Sequence, residues 1–450
     1  MIRSALKRLA ILVLAAASTP TLAQLYEGAR LIAGDGAPAI ESSAFLVEGG
    51  MVTRVGKKGE VTAPAGVARV DITGKTVMPT LISTHVHPGF QKGLSYSAAN
   101  YTREIILNDL NLALYYGVDV VMSQGIEHGD LAIQMRDEQA AGQLGGARML
   151  VAGRGIGAPN AGPGAMAYKG IAYEVSTEAE IRQAVREQAA RKVNAIKIWV
   201  DDRGGRAPSL SPELSAAAAD EAKKHNLRVS AHVYYHRDAI GLAAAKVDSF
   251  AHLVRDALMD EPLLVSVIRN RVFVMPNMGG GERNTHTSTP PWFDETYLAG
   301  LLKDTAAPEV IERMKGLWAP RDPAIVERVR GIYRNVHRNT TRLKDAGARI
   351  ILGSDTGLPD HLFGYAEQRE LELMHSAGMT TMEVIVAATS RGAAYLQLVD
   401  SGVLAPGKRA DFLVLDANPL DDIRNTRRIS RTFIKGVEID RAALKEKIIK

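Results

Sequence analysis

Leu81–Gly89 reads LISTHVHPG: the apolar run TVMPTLIST leads into two histidines one residue apart, and Pro88-Gly89 then breaks the chain. In an extended strand, residues two apart share a face, so His85 and His87 point the same way at the strand's end. The pattern that starts here recurs. Downstream of Val77, buried-type strands alternate with longer amphipathic stretches. DVVMSQG, RMLVAG, AIKIWV, RVSAHV, DSFAHL, RVFVMPN and RIILGSD read as further strands. Between several of them lie helical patterns such as TEAEIRQAVREQAARKV, SPELSAAAADEAKKHN and HRDAIGLAAAKV. Strand–helix alternation calls for parallel strands joined by crossovers, and eight such strands call for a closed (β/α)8 TIM barrel.

The flanks differ from the barrel pattern. Residues 24–75 carry short β-type runs split by turn signals (ARLIAG, SAFLVEGG, VTRVGKKGE, ARVDITGK) and read as a small antiparallel sheet. After a final helix over Thr381–Leu396, SGVLAPGKRADFLVLDANP returns to short β runs. The expected fold is therefore α/β: a barrel over 79–398, with a small β-sandwich built from both ends of the chain, 24–78 and 399–450. Pro276–Pro323 holds little strand signal; an insertion there lies over the barrel mouth as a lid or specificity loop.

The first 23 residues stand apart. Arg3, Lys7 and Arg8 precede the apolar run Leu9–Ala17, and Thr21-Leu22-Ala23 offers small residues for cleavage, the layout of a secretory signal. The apolar run is short for a bilayer span. Removing the segment lowers the formal charge of +5 by three, to +2, and leaves no Lys/Arg run suited to nucleic acid. A periplasmic or secreted protein without a membrane anchor is expected, and nothing in the sequence decides whether it is a homo-oligomer. With 46% apolar and 23% charged residues the chain is an ordinary globular one, which excludes disorder. It has no cysteine, so disulfides and thiolate–metal sites are excluded and any metal must be held by His, Asp, Glu or Lys chemistry.

Other chemistry-bearing residues fall at strand ends. His232 ends RVSAH, His252 ends DSFAH, and Asp355 ends RIILGSD. Lys197 sits inside the apolar strand AIKIW, where an unpaired charge is costly. Taken singly, each has an ordinary structural role available: a satisfied core histidine, a helix cap, a snorkelling lysine. Together they lie on strands one, four, five, six and eight, and a barrel directs all six side chains into one cavity at its C-terminal mouth. Arg154 follows the third strand, Tyr234 and Tyr235 the fifth and Arg255 the sixth; each is placed to grip a substrate carboxylate or to pack a loop. His128, His286 and His361 read as loop residues, and Asp201 and Asp202 as loop hydrogen-bonding groups.

The set His85-x-His87, Lys197, His232, His252, Asp355 resembles the binuclear metal site of the amidohydrolase superfamily. Within it, the likeness is to imidazolonepropionase-related members and secreted Xaa-Pro dipeptidases with a carboxylated lysine. The flanking LVEGGMVTRVG, DITGKTVMPTLISTHVH and GVLAPGKRADFLVLDANPL match too, so the resemblance covers nearly the whole chain after the leader. Two positions depart from the family pattern: Thr80 stands for the usual Gly, and Ser83 for the usual Asp, which removes a common carboxylate beside the ligands.

The resemblance implies that His85, His87 and Asp355 hold a buried divalent ion and His232 and His252 an outer one. It implies also that Lys197 bridges them as a carbamate formed with CO2. Two ions about 3.5–4 Å apart share a hydroxide available near neutral pH, and Asp355 takes its proton and passes it to the leaving nitrogen. Zinc suits these ligands; manganese, cobalt and nickel stay open. The expected activity is hydrolysis of a C–N bond in a small substrate, such as a dipeptide or N-acyl amino acid. Ester, lactone or carbamate hydrolysis is the alternative for the same hydroxide. A dehydrogenase reading of RMLVAGRGIGA, with Glu174 downstream, fails because Pro159, Gly162, Pro163 and Gly164 leave no helix N-terminus for a pyrophosphate. A purely metal- or solute-binding protein would have no use for Asp355 as a base.

Overall fold

A computed structural model describes residues 23–164, 166–290, 293, 302–316 and 322–449. The leader reading for 1–23 therefore lies almost wholly outside the described residues.

Eight parallel strands carry the large domain: β1 (Leu81–Val86), β2 (Val118–Ser123), β3 (Arg148–Val151), β4 (Ala195–Val200), β5 (Arg228–Val233), β6 (Ser249–Ala251), β7 (Phe273–Met275) and β8 (Arg349–Ile350). β1, β2 and β3 form one parallel ladder, and β4 to β8 another in sequence order. Two seams join the ladders. At the first, Asn194 N–H donates to Val151 O (2.7 Å), and the short strand Ile156–Gly157 after β3 pairs with β4. At the second, beyond the end of β8, Thr84 N–H donates to Leu352 O (2.9 Å) and His87 N–H to Thr356 O (2.7 Å). The strands thus follow one another in the cyclic order of a (β/α)8 barrel, with an additional domain beside it.

Helices on the outside begin where the sequence supplies caps. α1 (Arg103–Tyr115) and α2 (Leu131–Ala140) follow β1 and β2. α3 (Glu178–Ala190) opens on a Thr177–Glu180 capping box, α4 (Pro212–Lys224) on Ser211 and α6 (Glu261–Arg269) on Asp260, with α5 (His236–Ala244) between the last two. Beyond β7 come α7 (Met278–Glu282), α8 (Pro308–Gly316) and α9 (Pro323–Asp345), then α10 (Tyr365–Ser376) beyond β8. The helix expected over Thr381–Leu396, which precedes a further short helix at Arg441–Glu446, is two helices, α11 (Thr381–Ala387) and α12 (Ser390–Tyr395), rather than one. Thr389 breaks it: its backbone leaves helical angles (φ −132°, ψ −97°), while its hydroxyl bonds Ile385 O at 2.6 Å.

The small domain has two five-stranded sheets, each using both ends of the chain. One runs Lys408–Arg409, Met51–Lys57, Ser43–Glu48, Gln24–Glu27, Ala68–Asp71; the other runs Arg30–Leu31, Thr76–Pro79, Phe412–Leu415, Ile429–Ile434, Val437–Glu438. The N-terminal strands are not purely antiparallel: 24–27 pairs parallel with 68–71, and 30–31 with 76–79. The cause is that 24–31 and 68–79 each cross from one sheet to the other, side by side. Gly28 makes the first crossing possible: its φ is +96°, and a Cβ there would lie 2.1 Å from Thr73 Oγ1. Alternation along 43–48 buries Phe45 and Val47 between the sheets, and Ala44 and Leu46 beneath the 61–67 loop.

Four rings fill the space between the sheets. Tyr26 stacks on Phe45 (4.9 Å between centroids), Phe412 stacks on Phe433 (4.4 Å), and the pairs meet edge to face. Among the described residues no helix is long and apolar enough to cross a membrane. Phe412→Ala should destabilise the protein by about 3–5 kcal/mol, since it removes a fully buried ring from this stack. Denaturant unfolding should show the lowered midpoint, with Phe412→Leu recovering much of it.

Candidate metal centre

β1 delivers His85 and His87 to one point, as a period of two requires. Their Nε2 atoms lie 3.2 Å apart, and Asp355 Oδ1 lies 3.2 Å from the first and 3.0 Å from the second. A tetrahedral cation with bonds of 2.0–2.1 Å holds its donors about 3.3 Å apart. The three atoms therefore already sit at the spacing of one coordination face. His252 approaches from β6, its Nε2 3.9 Å from Asp355 Oδ2, and His85, His252 and Asp355 each offer a donor within 4.8 Å of the other two. His232 stacks edge to face on His252 with centroids 4.7 Å apart.

Lys197 comes from β4 and is fully buried, with no hydrogen-bond partner for Nζ among the described residues. His87 Nδ1 and His252 Nδ1 are likewise buried and unpartnered. Leaving such an atom unmet costs about 1–3 kcal/mol, so an unpartnered amine at Lys197 marks a place made for something else. Burial sets their charge states. It holds the Lys197 amine down at about 7, keeps His85 and His252 well below the ordinary imidazole value, and brings His232 to about 4. Burial alone would raise Asp355, but the imidazoles of His252, His85 and His87 outweigh it and keep the carboxylate ionised. Neutral imidazoles and an ionised carboxylate beside an amine that sheds its proton near neutrality are the donor set a divalent cation needs.

The backbone is bent to present these groups. Asp355 has φ +58°, His252 φ +81° and Asn277, just past β7, φ +49°. Left-handed angles at non-glycine residues cost energy and persist only where neighbours fix them. Asp355 N–H donates to His85 O at 3.1 Å. The hydroxyls of its neighbours Ser354 (3.0 Å) and Thr356 (2.7 Å) both donate to Glu367 Oε1. His252 N–H is shared between Met275 O and Asn277 Oδ1, each at 3.2 Å. Gly353 is close-packed: a Cβ there would meet His85 Cβ at 3.0 Å.

Three neighbours of the centre have roles not assigned from sequence. Asp201 does more than brace a loop: its Oδ2 lies 3.2 Å from His232 Nε2, and Arg203 anchors it at 3.0 Å. Asn277 Nδ2 lies 3.3 Å from His85 Nδ1. Glu367 also takes the Ser83 hydroxyl (3.0 Å), so a carboxylate reaches that position from α10 although Ser83 replaces the usual Asp. His361, read as a loop residue, is buried with Nε2 2.9 Å from Ser354 O, which supports the Asp355 turn.

Of the four residues expected to hold substrate, two face the centre. Tyr234 and Arg255 line a cleft of about 820 Å3 whose inner end is His252 and Asp355. Arg255 forms no salt bridge among the described residues, and its guanidinium carbon lies 5.5 Å from the Tyr234 ring centre. Arg154 and Tyr235 do not line this cleft. Arg154 donates from Nε to Ile171 O (2.6 Å) and covers the Tyr173 ring at 4.1 Å, bracing its own loop. Tyr235 caps α5, its hydroxyl bonds Asp202 and its ring packs under Arg237.

Residues 76–439 match the Amidohydrolase family profile. The chain belongs to the amidohydrolase family. It is 22% identical to an enamidase of Eubacterium barkeri over 397 residues, 88% of this chain and 86% of the other. A shorter stretch of 86 residues, 19% of this chain and 21% of the other, is 40% identical to an imidazolonepropionase of Deinococcus deserti. A solved structure of a prolidase-like protein from Bifidobacterium longum superposes with a TM-score of 0.73 at 25% identity, covering 96% of this chain and all of that one. The family and the superposed structure imply a TIM barrel with an additional domain, and His85, His252 and Asp355 form a group that could hold a divalent ion, as members of this family generally do.

The buried amine makes a prediction for the metal-free protein. Folded, Lys197 releases its proton at about 7; unfolded, it returns to 10.5, so between these values the unfolded chain binds the extra proton. Stability should therefore rise as pH goes from 7 to 9. Lys197→Met should flatten that slope. Denaturant midpoints of both proteins in chelator and CO2-free buffer at pH 7, 8 and 9 check the sign.

Proposed function

We propose that this amidohydrolase cleaves a C–N bond of amide or peptide type in a small substrate that carries a carboxylate near the scissile bond, using two divalent metal ions, most suitably zinc. The observation behind this reading is the clustering of His85, His252 and Asp355 donors within 4.8 Å of one another, with the Lys197 amine buried and unpartnered among the described residues. The relatives named enamidase, imidazolonepropionase and prolidase accord with it.

His85, His87 and Asp355 would hold the inner ion, His232 and His252 the outer one, and Lys197, as its CO2 carbamate, would join them. When bound, such ions supply a water that deprotonates near neutral pH and an electrophile for the substrate carbonyl. The chain's own groups do the rest. Asp355, ionised and touching both β1 imidazoles, accepts the proton of the attacking water and returns it to the leaving nitrogen. Asp201 holds the Nε2 edge of His232 and so fixes which ring edge faces the cavity. Arg255, with Tyr234 beside it, clamps the substrate carboxylate with parallel hydrogen bonds.

Elemental analysis of metal-replete protein should give two ions per chain; Lys197→Ala should lose most activity and hold the pair less tightly, because a methyl group replaces the bridging anion. A single ion at saturation, or a Lys197→Ala variant with both ions and full turnover, would sink the binuclear reading.

Arg255→Ala should lower kcat/KM for a carboxylate substrate by roughly ten- to a hundredfold, the worth of one charge-assisted contact of about 1.5–3 kcal/mol. The same change should matter far less for the matching carboxamide. Arg154→Ala, which touches only its own loop, should not alter that preference; paired kinetics with acid and amide substrates read the difference.

A further inference from the structure

The cleft leading to Asp355 has an opposite wall, and its chemistry is uniform. Val329, Ile332, Tyr333 and Val336 of α9 line it. Their spacing of three, four and seven residues puts them on one face of the helix. Val336 packs in the core and Tyr333 against it, while Val329, Ile332 and Tyr333 stay half-buried and keep surface toward the cleft. α9 also carries arginines at 328, 330, 334 and 338; its apolar face continues to buried Val326 and Leu343, and the part at 329–336 lines the cleft.

The floor between the two walls is a glycine run, Gly279–Gly281, in α7. Gly280 has no positive φ, and a Cβ there would find only Leu358 Cδ1, at 4.0 Å. Backbone geometry and packing therefore place no demand for glycine at this position. Glycine instead weakens the short helix by about 1 kcal/mol relative to alanine. What its bare backbone does is keep the floor of the cleft open, the role glycine has where a ligand passes close to the chain.

We infer that this cleft selects substrates whose carboxylate-bearing residue has a branched aliphatic or aromatic side chain. The inference rests on the amide-hydrolysis reading above and adds the substrate class to it. The carboxylate lies on Arg255, the side chain lies across Gly280, and its apolar surface meets the stripe of α9. Glycine at that position of the substrate leaves the stripe uncovered, and an acidic side chain must shed its water against it.

Two measurements test this separately from hydrolysis itself. Calorimetric titration of the metal-loaded protein with L-leucine, L-phenylalanine, glycine and L-aspartate reads the pocket without turnover. Each presents the same α-carboxylate to Arg255, so differences report the side chain. Leucine and phenylalanine should bind roughly ten- to a hundredfold more tightly than glycine or aspartate. Gly280→Leu, which fills the floor, and Ile332→Asp, which charges the wall, should each shrink the leucine-over-glycine ratio at least about tenfold. In the second measurement, kcat/KM for Ala-Leu, Ala-Phe, Ala-Gly and Ala-Asp should follow the same order and the same variant effects.

Equal binding of the four amino acids, or variants that weaken all four alike, overturns the selectivity. Selective binding without cleavage of any dipeptide keeps the pocket and overturns the hydrolytic reading on which the dipeptide order depends.

Discussion

The seam between the first and last barrel strands carries both the fold and the chemistry. Thr84 and His87 of the first strand's stretch donate backbone protons to Leu352 and Thr356, and Asp355 donates back to His85. The bonds that join β1 to the chain beyond β8 are therefore the bonds that set the His–His–Asp cluster. Glu367 reinforces the same seam from outside, collecting the hydroxyls of Ser83, Ser354 and Thr356 on one buried carboxylate oxygen. A single acceptor that ties two strands and a left-handed aspartate together leaves the ligands little freedom to drift, which is how a site keeps its donors at bonding distance.

Charge follows from burial in the same place. Removed from water, the histidines stay neutral and the lysine amine is poised to lose its proton, while the aspartate keeps its charge because imidazoles surround it. The strand that holds Lys197 is apolar along its length and so makes the amine unusually easy to deprotonate. A neutral amine is the form that can react with CO2. The sequence oddity of a lysine inside AIKIW and the electrostatics of the centre are one fact seen at two scales.

Which parts were legible depended on how far apart the partners lie in the chain. The alternation of strands and helices was readable because it is local, and so was the histidine pair, since period two is a property of a single strand. The roles of Asp201, Asn277 and Glu367 were not: their partners lie 31, 192 and 284 residues away, and nothing in a loop aspartate announces a distant imidazole. Arg154 and Tyr235 show the converse. A residue just past a strand end can join a cleft or brace its surroundings according to its neighbours, and contacts with Tyr173 and Asp202 engage these two outside the cleft lining. α9 escaped notice because Asn339 and Thr340 interrupt its buried face between Val336 and Leu343 and arginines crowd the rest of its pattern. Thr389 divided the helix expected over Thr381–Leu396 through a side-chain bond that helical periodicity does not register.

The small domain carries a consequence for how the protein is made. Its second sheet places Thr76–Pro79 against Phe412–Leu415, more than three hundred residues later, and Thr80 at the start of the barrel donates to Asp411 O. Until the ribosome has produced that late strand, Tyr26 and Phe45 have no facing rings and Thr76–Pro79 has an unpaired edge. Such pairings are slow to find and prone to capture by other chains while they wait. The 24–79 segment is thus among the last to become native, and during that interval a holdase would protect it better than early folding.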